Sequence, residues 1–176
     1  LWESKIAVLS DGSGVAERLA EKLFSLGIVA EVTTEVGEHH TGLIDLRPLQ
    51  QVSTVEAAEQ IVFQSFTSAK IVSRSPLVYI VVQQLDGSFG FSRSIGTQAY
   101  AAGVGGILRC AAVEWPSCYC KLIDMEVEGI EAAADQLLEE ICFAGPEQEI
   151  SLTSNSRRSL QLVPHAPKPQ KMALEA

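Results

Sequence analysis

Hydrophobic residues occur along the chain in short continuous runs that alternate with amphipathic stretches. Such runs, bounded by turn residues, are typical of strands that are buried on both faces of a parallel sheet. The predicted strands are residues 5–10, 28–33, 42–46, 77–85 and 118–125. The stretches between them carry apolar residues at helical spacing. The predicted helices are residues 15–26, 53–71, 96–114 and 130–144.

The end of the chain has a different pattern. Residues 149–163 alternate apolar and polar positions on both sides of a Ser-Asn-Ser turn, which predicts an antiparallel hairpin. Residues 164–176 form a proline-rich segment that we interpret as a linker. The alternation of strands and helices therefore predicts one α/β domain, residues 1–163. Its mainly parallel, Rossmann-like sheet is flanked by helices and ends in the C-terminal antiparallel hairpin.

The first predicted strand leads into a turn that holds Gly12 and Gly14. A turn that binds the pyrophosphate of a dinucleotide has three glycines, G-x-G-x-x-G, and the third allows helix and strand to pack closely. Here Glu17 occupies the third position, and Asp11 adds a carboxylate that competes with a phosphate for the helix N-terminus. Glu35 stands at the distance expected of a residue that binds the ribose. The pattern favours a degenerate, structural turn, and we assign no cofactor-binding residue to it.

The residues that carbonyl reduction requires are absent from the sequence. A Rossmann-type ketone reductase uses a tyrosine as the acid and a lysine four positions later that lowers its pKa. The positions four beyond Tyr79, Tyr100 and Tyr119 hold Gln83, Val104 and Ile123. Asp86 and Asp124 fall near predicted strand ends, where we interpret them as loop caps. No catalytic residue is assigned.

The net charge of −9 excludes partners that need a basic face, such as nucleic acid and anionic membrane surfaces. No apolar run is long enough to cross a bilayer. The four cysteines, in a chain without a signal peptide, are expected to be reduced, buried thiols of a cytoplasmic protein. Because His39 and His40 are distant in sequence from the pair Cys118 and Cys120, we predict no metal site.

A more specific indication of function comes from residues 103–126, GVGGILRCAAVEWPSCYCKLIDME. They resemble the non-catalytic half of ketoreductase domains in multidomain polyketide synthases, where a helix of the form G-x-x-x-R-x-x-x-x-E-x-P leads into a strand. The residues that fit this pattern are Gly105, Arg109, Glu114, Pro116 and Asp124. Trp115, Cys120 and residues 84–92 look more like the version in polyunsaturated fatty acid synthases.

In that family the ketoreductase consists of two similar Rossmann-like halves. The first is a truncated structural subdomain without a cofactor, and the second carries NADPH and the catalytic Ser-Tyr-Lys residues. The resemblance, over residues 5–163, implies that this chain is the first half and not itself an enzyme. Its implied partner is the catalytic subdomain of the same polypeptide. Two alternatives stay open: a small independent NAD(P)-binding oxidoreductase, and an interaction or dimerisation module that resembles a reductase.

Six residues are candidates for contact with that partner. Phe89 and Phe91 lie in a glycine-rich loop and are expected to be buried against the partner or against the domain's own core. The glycines of the predicted helix 96–114 allow a strand or a partner to approach closely, and Trp115 supplies a large apolar contact at its end. The candidates are Phe89, Phe91, Gly103, Gly105, Gly106 and Trp115.

Overall fold

A seven-stranded sheet forms the centre of the protein, which we describe from a computed structural model covering residues 5–74, 76–161 and 163–164. The strand order is β2-β1-β3-β4-β5-β6-β7, parallel throughout except for the antiparallel pair β6–β7. The predicted fold class is confirmed. In chain order, the strands β1 to β7 are Lys5–Leu9, Ala30–Thr33, His40–Asp45, Val78–Gln83, Tyr119–Met125, Glu149–Thr153 and Ser156–Ser159.

Helices cover both faces of the sheet and divide the core into two layers. Helices α1 and α5 pack against the side chains of Val8, Ile44, Ile80 and Ile123 on one face. Helices α2 and α4 pack on the opposite face, because neighbouring strand residues point to opposite sides. The helices α1 to α5 are Val15–Ser25, Val55–Val72, Gln98–Ala101, Gly103–Glu114 and Ile130–Cys142, and a short 3-10 turn spans Arg47–Leu49.

The predicted helix 96–114 is interrupted in the structure at Ala102, which separates α3 from α4. Tertiary hydrogen bonds explain the break. The Gln98 side chain accepts from the Val52 N–H at 3.0 Å and donates to the Gln50 carbonyl at 3.1 Å, while the Thr97 hydroxyl donates to the Val52 carbonyl. These bonds fix α3 against the loop after β3, and α4 leaves in its own direction.

The hairpin is confirmed, but its second strand ends at Ser159 rather than at residue 163. Apart from Pro164, the predicted linker lies outside the described residues. Within the parts of the chain that the structure describes, no helix has the length and apolar character needed to cross a membrane.

A buried ion pair fastens α5 to the sheet. Lys121 of β5 is fully buried, and its ammonium contacts Glu140 Oε1 at 2.5 Å and the Gly145 carbonyl at 3.0 Å. The other Glu140 oxygen accepts from Arg157 of β7 at 2.7 Å. One carboxylate therefore joins β5, α5 and the hairpin.

Candidate functional site

The crevice where open α/β sheets bind ligands lies at the carboxyl ends of the strands, at the point where the strand order reverses. In this sheet that point is between β1 and β3. A cleft of about 570 Å³ opens there. Residues that line it include Ser10, Asp11, Thr33, Glu35, Arg47 and Gln64. A nucleotide would bind in this cleft of the fold. Whether it can bind depends on the free hydrogen-bond donors and the charges that line the cleft.

In the glycine turn beside this cleft, three backbone amides are bonded to side chains of the turn itself. Ser10 Oγ accepts from the Gly12 N–H at 3.0 Å, and Asp11 Oδ1 accepts from the Ser13 N–H at 3.2 Å. The Val15 N–H donates to the Ser13 hydroxyl at 3.3 Å, and that hydroxyl donates to Asp11 Oδ1 at 2.7 Å. A pyrophosphate binds such a turn through these same N–H groups. Here these N–H groups already donate to side-chain oxygens, and one of the acceptors is the Asp11 carboxylate.

Glu17 does not act as the sequence analysis expected. Its side chain is exposed and does not enter the turn, because the face of α1 that meets the sheet is formed by Val15, Ala16 and Leu19. Close packing at the turn involves Gly14, where an added Cβ would lie 3.3 Å from Ile130 Cδ1 of α5. Asp11, rather than Glu17, is the acid that occupies the turn.

The basic residue nearest to the cleft is already paired. Arg47 donates to Asp45 Oδ1 at 2.9 Å and to Asp45 Oδ2 at 2.7 Å, and it also contacts the Ser68 hydroxyl. Asp45 is fully buried and accepts a further hydrogen bond from Ser65 of α2 at 2.7 Å. A phosphate in the cleft would therefore meet a guanidinium whose charge is balanced by a buried carboxylate.

Tyr79 and Tyr100 lie in different environments. Tyr79 is fully buried, its ring lies 5.8 Å from that of Trp115, and its hydroxyl has no hydrogen-bond partner among the described residues. Burial, and then the nearby charge of Asp45, raise the pKa of Tyr79 far above its ordinary value. Tyr100 is more than half exposed on α3. Neither placement suits a general acid for carbonyl reduction.

Two carboxylates hold the loop after β4, as the loop-cap interpretation predicts. Asp86 accepts from the backbone N–H groups of Ser88, Gly90 and Ser92 at 2.7–2.9 Å, and from the Ser92 hydroxyl. Burial alone would raise the pKa of Asp86, but these hydrogen bonds together lower it to about 2.

Asp124, at the end of β5, holds the same loop from the other side. It accepts from the Leu85 N–H at 2.8 Å and from the Phe89 N–H at 2.6 Å. Burial raises the pKa of Asp124 in spite of these bonds. Both carboxylates are therefore engaged in building the loop.

The candidate contact residues have four different placements. Phe89 is half-buried against the domain's own core with a left-handed backbone (φ 56°), whereas Phe91 is 81% exposed. Gly105 faces the sheet. Gly103, Gly106 and Trp115 line one groove of about 490 Å³ between α2 and α4. Phe66 of α2, which the sequence analysis did not single out, lines the same groove.

We expect alanine to affect the stability of the domain differently at the two helical glycines Gly105 and Gly106. A Cβ at Gly105 would lie 3.0 Å from Leu122 Cδ2 in the packed core, whereas a Cβ at Gly106 meets nothing within 4 Å. We expect Gly106→Ala to stabilise the domain by up to about 1 kcal/mol through helix propensity. We expect Gly105→Ala to be about 1–2 kcal/mol less stable than Gly106→Ala, because overpacking offsets that gain. Urea unfolding of both variants measures the difference, and equal stabilisation would contradict it.

The cysteines are less uniformly buried than expected. Cys120 is buried, Cys118 and Cys142 are half-buried, and Cys110 is exposed; all four are free thiols. The thiol of Cys120, and then burial, raise the pKa of Cys118. The sequence analysis considered His39 and His40 only in relation to the cysteines. However, Glu31 of β2 joins His39 and His40 in a cluster that the sequence analysis did not consider.

No protein-family model matches the chain, and no curated protein matches it. Solved structures do. One of them is described as the "Crystal structure of a small-chain dehydrogenase". It superposes with a TM-score of 0.56 at 18% identity, over 77% of this chain and 87% of that chain. At this identity the similarity concerns the fold alone. The chain has the Rossmann-like fold of short-chain dehydrogenases.

Proposed function

We propose that the chain is a non-catalytic structural subdomain that supports an NADPH-dependent 3-ketoacyl reductase in a multidomain polyketide or polyunsaturated fatty acid synthase. It holds no cofactor and does not touch substrate. Its partner is the catalytic subdomain of the same polypeptide, which it stabilises by covering apolar surface.

The occupied glycine turn carries this proposal. Three backbone N–H groups that a pyrophosphate would need are bonded to Ser10, Asp11 and Ser13. A phosphate would have to break these bonds and would lie beside the Asp11 carboxylate, with Arg47 already paired to Asp45. The lost hydrogen bonds, the nearby carboxylate and the paired guanidinium each oppose the binding of an anion.

An exposed apolar surface on the outer side of α2, α3 and α4, which we call the α2–α4 face, supports a packing role. Phe63, Phe66 and Tyr100 are 65%, 49% and 56% exposed there. Two grooves, of about 490 and 440 Å³, share Phe66 and Ile107. Clustered large apolar side chains of this kind mark interaction sites. Their size suits another helical face, which is what the reductase half would present.

The backbone brings these helices close together. A Cβ at Gly103 would lie 3.2 Å from Val62 Cγ2 of α2, so the glycine allows α4 to approach α2. The side chains of Phe66 and Ile107 then form one continuous surface. This gives a structural reason for the glycine-rich helix start that carries the family resemblance.

The test uses the longer polypeptide that the proposal requires, with NADPH oxidation measured on a β-ketoacyl thioester. We expect Phe66→Ser to lower reductase activity by at least about tenfold, because it removes an apolar anchor at the centre of the face. The matched control is Phe24→Ser, on the exposed side of α1 across the sheet. Equal activity in both variants contradicts the proposal. So does a following segment that lacks a glycine-rich nucleotide turn and a Tyr-x-x-x-Lys pair.

A small independent NAD(P)-binding oxidoreductase is the second candidate, and the 570 Å³ cleft at the switch point favours it. In that case Glu35, exposed at the cleft, would bind the ribose. The purified chain would then oxidise NADH with a carbonyl substrate, and Glu35→Gln would raise the KM for NADH, because the lost carboxylate is the acceptor for the ribose 2′-hydroxyl. The absence of turnover eliminates this candidate.

A further inference from the structure

The amino-terminal edge of the sheet, opposite the glycine turn, carries a cluster of three potential metal ligands. Glu31 is the second residue of β2, His40 is the first residue of β3, and His39 directly precedes it. β1 lies between these strands, so the fold brings Glu31 to the histidines across one intervening strand. Glu31 Oε2 lies 3.6 Å from His40 Nε2 and 3.8 Å from His39 Nε2.

His40 is the residue that distinguishes this cluster from an ordinary surface group of charges. Its side chain is only 2% exposed, and its Nε2 has no hydrogen-bond partner within the described chain. Leaving a buried polar atom unpaired is costly, and such atoms in native structures call for an explanation. This atom points toward the Glu31 carboxylate and the neighbouring imidazole. A bound cation would satisfy it.

We propose that Glu31, His39 and His40 form a binding site for a first-row divalent cation, with Zn²⁺ as the preferred ion. Two imidazoles and a carboxylate are ligands that Zn²⁺ accepts, and a tetrahedral ion with bonds of 2.0–2.1 Å needs ligand atoms about 3.3 Å apart. The ligand atoms here lie within 4.8 Å of one another. The exposed side chain of His39 can close the remaining gap by a change of rotamer. Water fills the fourth position.

The backbone of Gly37 contacts the second ring nitrogen of His40. His40 Nδ1 lies 2.9 Å from the Gly37 nitrogen and 3.2 Å from its carbonyl oxygen. A cation at Nε2 requires the tautomer with its hydrogen on Nδ1, and the Gly37 carbonyl is placed to accept that hydrogen while the Gly37 N–H gives up its contact. Metal-bound histidines commonly donate their second ring N–H in this way.

Lys5 would compete with the cation for the Glu31 carboxylate. Its ammonium lies 3.2 Å from Glu31 Oε2, so it occupies one side of the oxygen that the metal would use. It must move aside when the ion binds, and its charge weakens the site. Removing a ligand should therefore weaken cation binding, whereas removing the Lys5 ammonium should strengthen it.

Calorimetric titration of ZnCl₂ into the reduced, purified chain tests the site. We expect one Zn²⁺ per chain, with the affinity lowered at least about tenfold by Glu31→Gln and by His40→Gln. Glu31 is partly exposed, so its variant keeps the test valid if the His40 variant fails to fold. We expect Lys5→Met to raise the affinity.

The controls separate this site from the other ligands in the chain. Cys118→Ser/Cys120→Ser and His165→Gln should leave the affinity unchanged, and the Co²⁺ complex should show no thiolate charge-transfer band. The proposal is overturned if Zn²⁺ does not bind or if either Glu31→Gln or the folded His40→Gln binds it as well as the unmodified chain. It is also overturned if a control variant loses binding or if Lys5→Met fails to strengthen it.

Discussion

Replacing Glu140 with alanine should lower the free energy of unfolding by about 3–5 kcal/mol, the range observed when one partner of a buried ion pair is removed. Lys121 is fully buried, and its ammonium would keep only carbonyl contacts at Glu140 and Gly145. Arg157 would lose the same carboxylate, at less cost because it is 37% exposed. Urea unfolding followed by far-UV circular dichroism measures the loss.

Two further variants show whether the buried charge is the cause. Glu131→Ala removes an exposed carboxylate from the same helix, where it pairs with Arg18 and Lys22, and we expect it to cost much less stability than Glu140→Ala. The double replacement Lys121→Met/Glu140→Leu removes both buried charges and should recover most of the stability that Glu140→Ala loses. If the double variant is as unstable as Glu140→Ala, lost packing rather than an unpaired charge is responsible.

Replacing Asp86 with asparagine should destabilise the domain by about 2–3 kcal/mol at pH 7, because the loop after β4 loses charge-assisted hydrogen bonds to one carboxylate. The effect should depend on pH. The folded pKa of Asp86, about 2, lies below its ordinary value of 3.8, so the ionised carboxylate stabilises the fold above that ordinary value. This contribution, about 2 kcal/mol, is lost as the pH falls from about 4 through 2.

The measurement is the difference in unfolding free energy between the unmodified chain and Asp86→Asn at several pH values. The difference should shrink as the pH falls from 5 to 2. Asp135→Asn, on the exposed side of α5 in a pair with Lys22, should show a difference below about 1 kcal/mol. Parallel pH curves for the unmodified chain and Asp86→Asn would show that the loop does not depend on the ionised carboxylate.

The order of strands and helices could be predicted from the sequence because each element carries its own local signal. Buried parallel strands are continuous apolar runs, and α1 has a clear apolar stripe that ends before Gly27 (φ 79°). The break at Ala102 could not be predicted, since it depends on hydrogen bonds from Gln98 to residues almost fifty positions earlier.

The candidate site was predicted in outline but not in its chemistry. Asp11 was named from the sequence as a competitor of a phosphate, but motif spacing does not show which helix face Glu17 takes. The cluster of Glu31 with His39 and His40 depends on the order β2-β1-β3, which the sequence pattern did not reveal. The ion pair between Lys121 and Glu140 was also missed, because it depends on how α5 packs against β5. An isolated lysine in an apolar strand was its only local signal.

Calorimetric titration of NADPH into the purified chain shows whether the glycine turn, whose amides are held by the chain's own side chains, can still bind a phosphate. We expect no detectable binding, because Ser10, Asp11 and Ser13 hold three amides of the turn. Saturable binding of one NADPH per chain with micromolar affinity would contradict it.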